Sequence, residues 1–281
     1  MFGNKIVDRL DKMLDEAMNG EFKESSYDET KLSRLESKWK QFLGNSFVLK
    51  ENLERERDSV KSLVSDISHQ TKTPMTNIKM YSQLLEENLE SGNSEQNKQL
   101  IQEILRQTDR LEFLIQALTK LSRLESNVVE VKPVKQSIRV LVEAVVNSMT
   151  EKAKRKQIEI QVLSELSGEA CYDLKWTKEA LENLLDNAVK YSPVGSVITI
   201  SVTAYELYVA ICVKDQGIGI SEEDIPKIYG RFYRSEQVQQ EEGVGIGLYL
   251  AREIVSKQDG YLKVKSKPGE GSEFQMFLRK N

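Results

Sequence analysis

Histidine is almost missing from this chain: of 281 residues only His69 carries an imidazole. Histidine clusters around a metal are thereby excluded, and any reaction that needs an imidazole must run through that one position. Cysteine is nearly as scarce. Cys171 and Cys212 both sit among strand-like apolar residues, which excludes a disulfide framework or a cysteine-rich metal site and leaves two small buried thiols. No run approaches the roughly 20 consecutive apolar residues that cross a bilayer, and the opening MFGNKIVDRLDKM has no signal-peptide core. The expected location is cytoplasmic, either alone or as the cytoplasmic portion of a membrane-anchored protein. Neither sign of charge dominates. Forty Lys and Arg face 44 Asp and Glu, a formal net charge of -4, which argues against a nucleic-acid binder. With 39% hydrophobic residues the chain still has enough apolar material for one or two cores.

Glycine is scarce in one half only. Between Leu53 and Leu124 there is just Gly92, whereas ten of the fifteen glycines lie at or after Gly195. The chain reads as a helical front and a mixed rear. In the front, Val64, Ile67, Thr71, Pro74, Ile78, Tyr81 and Leu85 alternate in steps of three and four, and so do Ile101, Ile104, Thr108, Leu111, Ile115 and Leu118. The polar break SGNSEQN between the two seams suits a helix-helix turn. Two helices so joined bury one face each, and a symmetric dimer completes them as a four-helix bundle. Residues 1–52 carry helical patterns around Leu10 and Leu35, broken at Asn19-Gly20. That arrangement is similar to the HAMP linkers of receptors and equally to an ordinary coiled-coil lead-in.

The rear alternates in type. Helices are expected over about Ser137 to Lys154, Lys175 to Tyr191 and Gly247 to Ser256. Strands are expected over Ile158 to Leu163, Val197 to Ala204, Tyr208 to Lys214, Tyr261 to Ser266 and Glu273 to Leu278. Hairpin strands with helices between them predict an α/β two-layer sandwich.

Within this frame three groups of residues carry chemistry. His69 falls at the heptad position farthest from the partner helices, facing solvent, with Asp66 one turn earlier and Thr73 one turn later. Pro74, inside a strongly periodic helix, removes a backbone bond beside the only imidazole, as a functional bend or as a packing accident. Asn183, Asn187, Lys190 and Tyr191 form a polar stripe opposite the apolar face of the second rear helix. Their amide oxygens suit Mg²⁺, the ammonium suits phosphate and the ring suits a base, although a solvated polar face reads the same way. Asp215 opens DQGIGI after an apolar strand, and GVGIGLYLAREIV places Gly243, Gly245 and Gly247 ahead of a helix, where backbone N–H groups meet phosphate. The G-x-G-x-G spacing is not the dinucleotide G-x-G-x-x-G, and no G-x-x-x-x-G-K-[ST] occurs.

Taken in order, these segments closely resemble the sensor histidine kinases of two-component signalling, over about Leu53 to Phe277. SDISHQTKTP resembles the H box, LENLLDNAVKYSP the N box, and VKDQGIGI and GVGIGLYLAREIV the two glycine boxes. IPKIYGRFYRSE resembles the F box, and SKPGEGSEFQMFL the terminal glycine-strand element. The resemblance implies an α+β multidomain chain. Its parts would be a helical linker at 1–52, a dimerisation and phosphotransfer hairpin at 53–127, and a catalytic domain of the Bergerat ATPase type at 128–281, with a mobile lid at about Ile220 to Val244. It implies ATP and Mg²⁺ as cofactors and, as partners, a second copy and a response-regulator receiver domain, with membrane contact only through a sensor portion ahead of this segment.

Residue by residue, the resemblance makes His69 the phospho-acceptor and Asn187 the Mg²⁺ ligand, with Asn183 beside it. Asp215 would accept from the adenine amino group, Lys190 and Arg234 would approach the phosphates, and Tyr191 would pack on the base. Gly217, Gly219, Gly243, Gly245 and Gly247 would shape pocket and lid. Thr73 matches the position that serves dephosphorylation of the regulator. One departure stands out: the commoner H box has an acidic residue after the histidine, and here Gln70 cannot serve as base, though its amide oxygen can orient the ring. A nucleotide-gated dimeric interaction module, or a regulator phosphatase without kinase activity, is the alternative reading.

Overall fold

The computed structural model describes residues 31–89, 94–125, 131–163, 165–238 and 243–281. The chain divides into two units, residues 1–69 and 70–281. Helix α1 (Lys31–Leu89) runs through that division without interruption. The linker boundary expected near residue 52 therefore falls inside a continuous helix, because neither glycine nor proline occurs between Gly44 and Pro74 to end it. The break at Asn19-Gly20 lies outside the described residues. In the first unit the described part of α1 exposes Phe42, Leu49, Leu53, Val60 and Val64.

In the second unit, the end of α1 buries Pro74 and half-buries Thr71, Ile78, Tyr81 and Leu85, in agreement with the seam. Helix α2 (Ser94–Glu125) carries the second seam. Ile101 and Ile115 are 46% and 60% exposed, while Leu114, Leu121 and Leu124 are buried. The C-terminal half of α2 packs against the rear domain, where Leu114, Ala117 and Leu124 join its core, while the seam residues Ile104, Leu111 and Leu118 are half-buried.

The rear domain begins with β1 (Val134–Ser137) and α3 (Ile138–Arg155), whose N-cap Ser137 accepts from the Arg139 N–H. Next come β2 (Glu159–Val162), β3 (Glu169–Tyr172) and α4 (Leu174–Tyr191), capped by Asp173 accepting from the N–H groups of Lys175 and Trp176. Strands β4 (Val197–Ala204) and β5 (Tyr208–Lys214), helix α5 (Gly247–Ser256), and strands β6 (Tyr261–Lys267) and β7 (Gly271–Arg279) complete it.

Five strands form one sheet in the order β2-β4-β5-β7-β6, antiparallel except for the parallel pair β2-β4, and β1 pairs with β3 in a separate two-stranded sheet. Alternate residues of β5, namely Val209, Ile211 and Val213, point inward with none of their surface exposed. They meet Leu141 and Val145 of α3, Leu181 and Leu185 of α4, and Leu250 and Ile254 of α5 in a single core. Helices on one face and solvent on the other make the expected two-layer sandwich. Cys171 and Cys212 are free and half-buried, and burial pushes the Cys212 thiol up to about 11. At neutral pH that thiol is protonated and unreactive.

Candidate functional site

The polar stripe of α4 faces a cleft rather than solvent. Asn183, Asn187, Lys190 and Tyr191 line one wall, Asp215, Gly219 and Ser272 the floor, and Tyr233, Arg234, Gly243, Gly245 and Gly247 the far side. The void, open mouth included, is about 1160 Å³. Four polar or charged residues on one side of a helix otherwise rich in Leu and Ala face inward because the loops after β5 and before α5 fold over them.

Asp215 is the electrostatic centre of the floor. It is 5% exposed, and its Oδ1 accepts from the N–H groups of Gly217 at 2.8 Å and Ser272 at 3.1 Å. Burial holds its carboxyl above the usual carboxylate range, and those two N–H groups pull partly against that rise. A buried carboxylate fixed through one oxygen is a directional acceptor for an amino group entering the cleft. Gly217 stands behind the wall and serves Asp215 through its N–H, so it shapes the pocket indirectly.

The glycines of the two loops answer a packing requirement. Gly245 has φ +77°, and a Cβ there would come 2.7 Å from the Tyr233 carbonyl oxygen. A Cβ on Gly247 would come 2.8 Å from Asn183 Oδ1, and one on Gly243 2.9 Å from Lys190 Nζ, so the loop before α5 lies directly on the α4 stripe. Asn183 commits its Nδ2 to the Glu179 carbonyl at 2.9 Å, which turns its oxygen toward that loop. Lys190 Nζ donates to the Tyr191 hydroxyl at 3.1 Å and lies 4.7 Å from the ring centroid.

Arg234 does more than face the cavity. It donates to the Gly243 carbonyl at 3.0 Å and to the Val238 carbonyl, tying the segment ending at Val238 to the glycine loop before α5. Phe232, just before, has φ +59°, a left-handed conformation that a bulky residue seldom adopts, and this kink directs the following Tyr233 and Arg234. Tyr233 donates to Asp224 Oδ1 at 2.6 Å, and Arg231 donates to the Tyr249 hydroxyl at 2.9 Å over its ring. Sequence reasoning missed Asp224, Tyr233, Ser272 and Phe113 of α2, which also line the cleft. Loop residues carry no periodicity to single them out, and Ser272 reaches Asp215 only through the pairing of β5 with β7.

On α1, His69 and Thr73 are exposed and Gln70 is half-buried. Among the described residues, no three His, Cys, Asp or Glu side chains gather to hold a metal ion. Nor is any described helix long and apolar enough to cross a membrane.

Two family models match the chain. Residues 59–127 match the His Kinase A (phospho-acceptor) domain, and residues 172–281 match the histidine kinase-, DNA gyrase B- and HSP90-like ATPase. The chain belongs to the sensor histidine kinases. Among its relatives is the sensor protein kinase PmrB of Pseudomonas aeruginosa, 29% identical over 236 residues, covering 83% of this chain and 48% of that protein. The sensor-like histidine kinase SenX3 of Mycobacterium tuberculosis is 28% identical over 225 residues, 78% of this chain and 53% of that one. The chain thus spans about half the length of these relatives. Among solved structures, histidine kinase ThkA in complex with response regulator protein TrrA is similar in fold, with a TM-score of 0.66 and 20% identity over 83% of this chain and 66% of that one. Acinetobacter baumannii histidine kinase AdeS gives 0.59 and 22%, covering 76% and 98%. The His Kinase A match contains the only histidine, and the ATPase match contains α4, both glycine loops and the lid of this kinase.

Proposed function

We propose that this kinase binds ATP in the cleft beneath the lid and transfers its γ-phosphoryl group to His69, then passes that group to an aspartate on a separate response-regulator receiver domain. The observation that carries the reading is the exposed, solitary His69 inside the phospho-acceptor match of a chain whose ATPase match holds a ready cleft. Asp215 orients the adenine amino group. Tyr191 offers its ring to the base, and Lys190 and the N–H groups of the glycine loop ahead of α5 meet the phosphates. The donor set fits a hard cation carried by the phosphates, since the cleft offers amide oxygens in place of a carboxylate cluster. Asn187, with Asn183 beside it, would hold Mg²⁺, which supplies neutralisation of charge developing on the transferred group.

At His69 the neutral ring attacks through one nitrogen while the other keeps its proton. Gln70 follows it and accepts that proton's hydrogen bond, aiming the attacking lone pair, with no carboxylate in the role of base. Phosphoryl transfer of this kind rests on positioning and electrostatics. Thr73 serves the reverse direction, orienting a water at the regulator's phospho-aspartate. The uncovered stripe of α2 at Ile101 and Ile115 is where a second copy completes a four-helix bundle. Incubation with γ-labelled ATP tests the reading: label is expected on the parent chain and absent after His69→Gln.

A further inference from the structure

The C-terminal turn of α4 projects Lys190 and Tyr191 into the cleft, yet the last four carbonyls of a helix find no partner within it. Here three of the four have a donor. The Ser192 N–H donates to the Ala188 carbonyl at 3.2 Å. Lys156 Nζ donates to the Val189 carbonyl at 3.1 Å and, more closely, to the Lys190 carbonyl. The Tyr191 carbonyl oxygen lies against the bare Cα of Gly217, where a Cβ would come within 2.7 Å. One ammonium therefore serves two consecutive carbonyls at the negative end of the α4 dipole.

Lys156 reaches that place because it is the C-cap of α3, half-buried, with its own N–H donating to the Ala153 carbonyl at 3.0 Å. Four and eight residues earlier on the same face, Lys152 pairs with Asp186 and Ser148 donates to Glu182 at 2.5 Å. Those two contacts join side chain to side chain. Lys156 instead holds the backbone from which the two cleft residues project.

We propose that Lys156 is a positioning residue of the nucleotide site: by fixing the Val189 and Lys190 carbonyls from behind, it sets where Lys190 and Tyr191 stand in the cleft. The proposal rests on the nucleotide-site reading above. Its test uses the full chain, titrated calorimetrically with ATP and Mg²⁺ and melted in parallel. Lys156→Met keeps the apolar stem and removes every donor; it is expected to weaken ATP binding by about tenfold, and Lys156→Arg to restore it to within about twofold. Ser148→Ala strips a bond from the same helix pair away from the last turn, and it is expected to lower the melting temperature while leaving ATP affinity at the parental value. If Lys156→Met melted earlier but bound ATP as the parent does, Lys156 would be a structural cap only and the proposal would be overturned. Should the Met variant not fold, Lys156→Gln is titrated on the same terms. Failure of the unmodified chain to bind ATP would overturn the nucleotide-site reading itself, an outcome distinct from normal parental binding beside an unaffected variant.

Discussion

The hydroxyl of Tyr233 donates to Asp224 across 2.6 Å and ties the later part of the F-box segment back to the residue just before it. The bond lowers the Asp224 carboxyl below the usual range, and the same bond, ahead of burial, pushes the Tyr233 phenol up to about 12. A depressed carboxyl contributes order that is complete above the free value of about 3.9 and is lost as pH falls below it. A raised phenol contributes order that is present below its free value of about 10 and is lost as pH climbs toward the folded one. The clasp is therefore intact across the neutral range. Carbon-detected NMR titration of Asp224 should show Tyr233→Phe moving the carboxyl upward toward the free value. An unchanged titration would show that the bond does not hold the lid in solution.

Asp215 pairs a costly burial with the binding task proposed for it. Burial makes its ionised form costly, while Oδ1 already accepts from the N–H groups of Gly217 and Ser272. In Asp215→Asn an amide oxygen can keep both bonds, so the fold should be at least as stable. Adenine nucleotide affinity should fall by roughly 1.5 to 3 kcal/mol, the value of a charge-assisted acceptor. Calorimetry on the folded variant checks this, and unchanged affinity would remove Asp215 from the adenine role.

A stability prediction concerns the end of α3. Gln157 is exposed at φ +57°, in the left-handed position that commonly follows a helix and favours glycine. Gln157→Gly should stabilise the domain by about 0.5 to 1 kcal/mol, relief of the backbone outweighing the extra freedom of the unfolded chain. Chemical denaturation measures it directly, and a loss of stability would mean that the Gln157 side chain contributes packing.

Much of this architecture was legible in the amino-acid order. Alternation in β4 and β5 and the apolar face of α4 marked their elements closely, because each is long enough to express its period. Strand β1 went unread and β3 showed only as strand-like residues around Cys171: at four residues each, with VKQS mostly polar, they have little period to show and exist through pairing with each other. The parallel partnership of β2 with β4 was hidden for a related reason, since α4 and β3 lie between them in the chain. In the cleft, the α4 stripe and the glycine loops were readable as motifs. Arg234 was assigned by motif to the phosphates, and the structure adds its bonds to the lid carbonyls of Gly243 and Val238, which follow from the kink at Phe232.

The two directions of chemistry should separate on α1. Thr73 carries no proton that His69 needs for attack, whereas Gln70 is the residue proposed above to orient the ring. Thr73→Ala should keep autophosphorylation within about a few-fold while losing most dephosphorylation of the phospho-regulator, and Gln70→Ala should slow autophosphorylation. Both rates are measured with purified response regulator. Joint loss of the two activities in a folded Thr73→Ala chain would assign Thr73 to the local geometry around Pro74.

The central claim is that His69 accepts the phosphoryl group of ATP, and the chemical stability of the label tests it most directly. After incubation with γ-labelled ATP and Mg²⁺, the parent chain should carry label that survives alkali and is lost in acid, as a phosphoramidate is. His69→Gln should bind ATP equally well and carry none. Acid-stable label on the parent, or alkali-stable label remaining on His69→Gln, would contradict the account, because the chain has no second histidine to receive it.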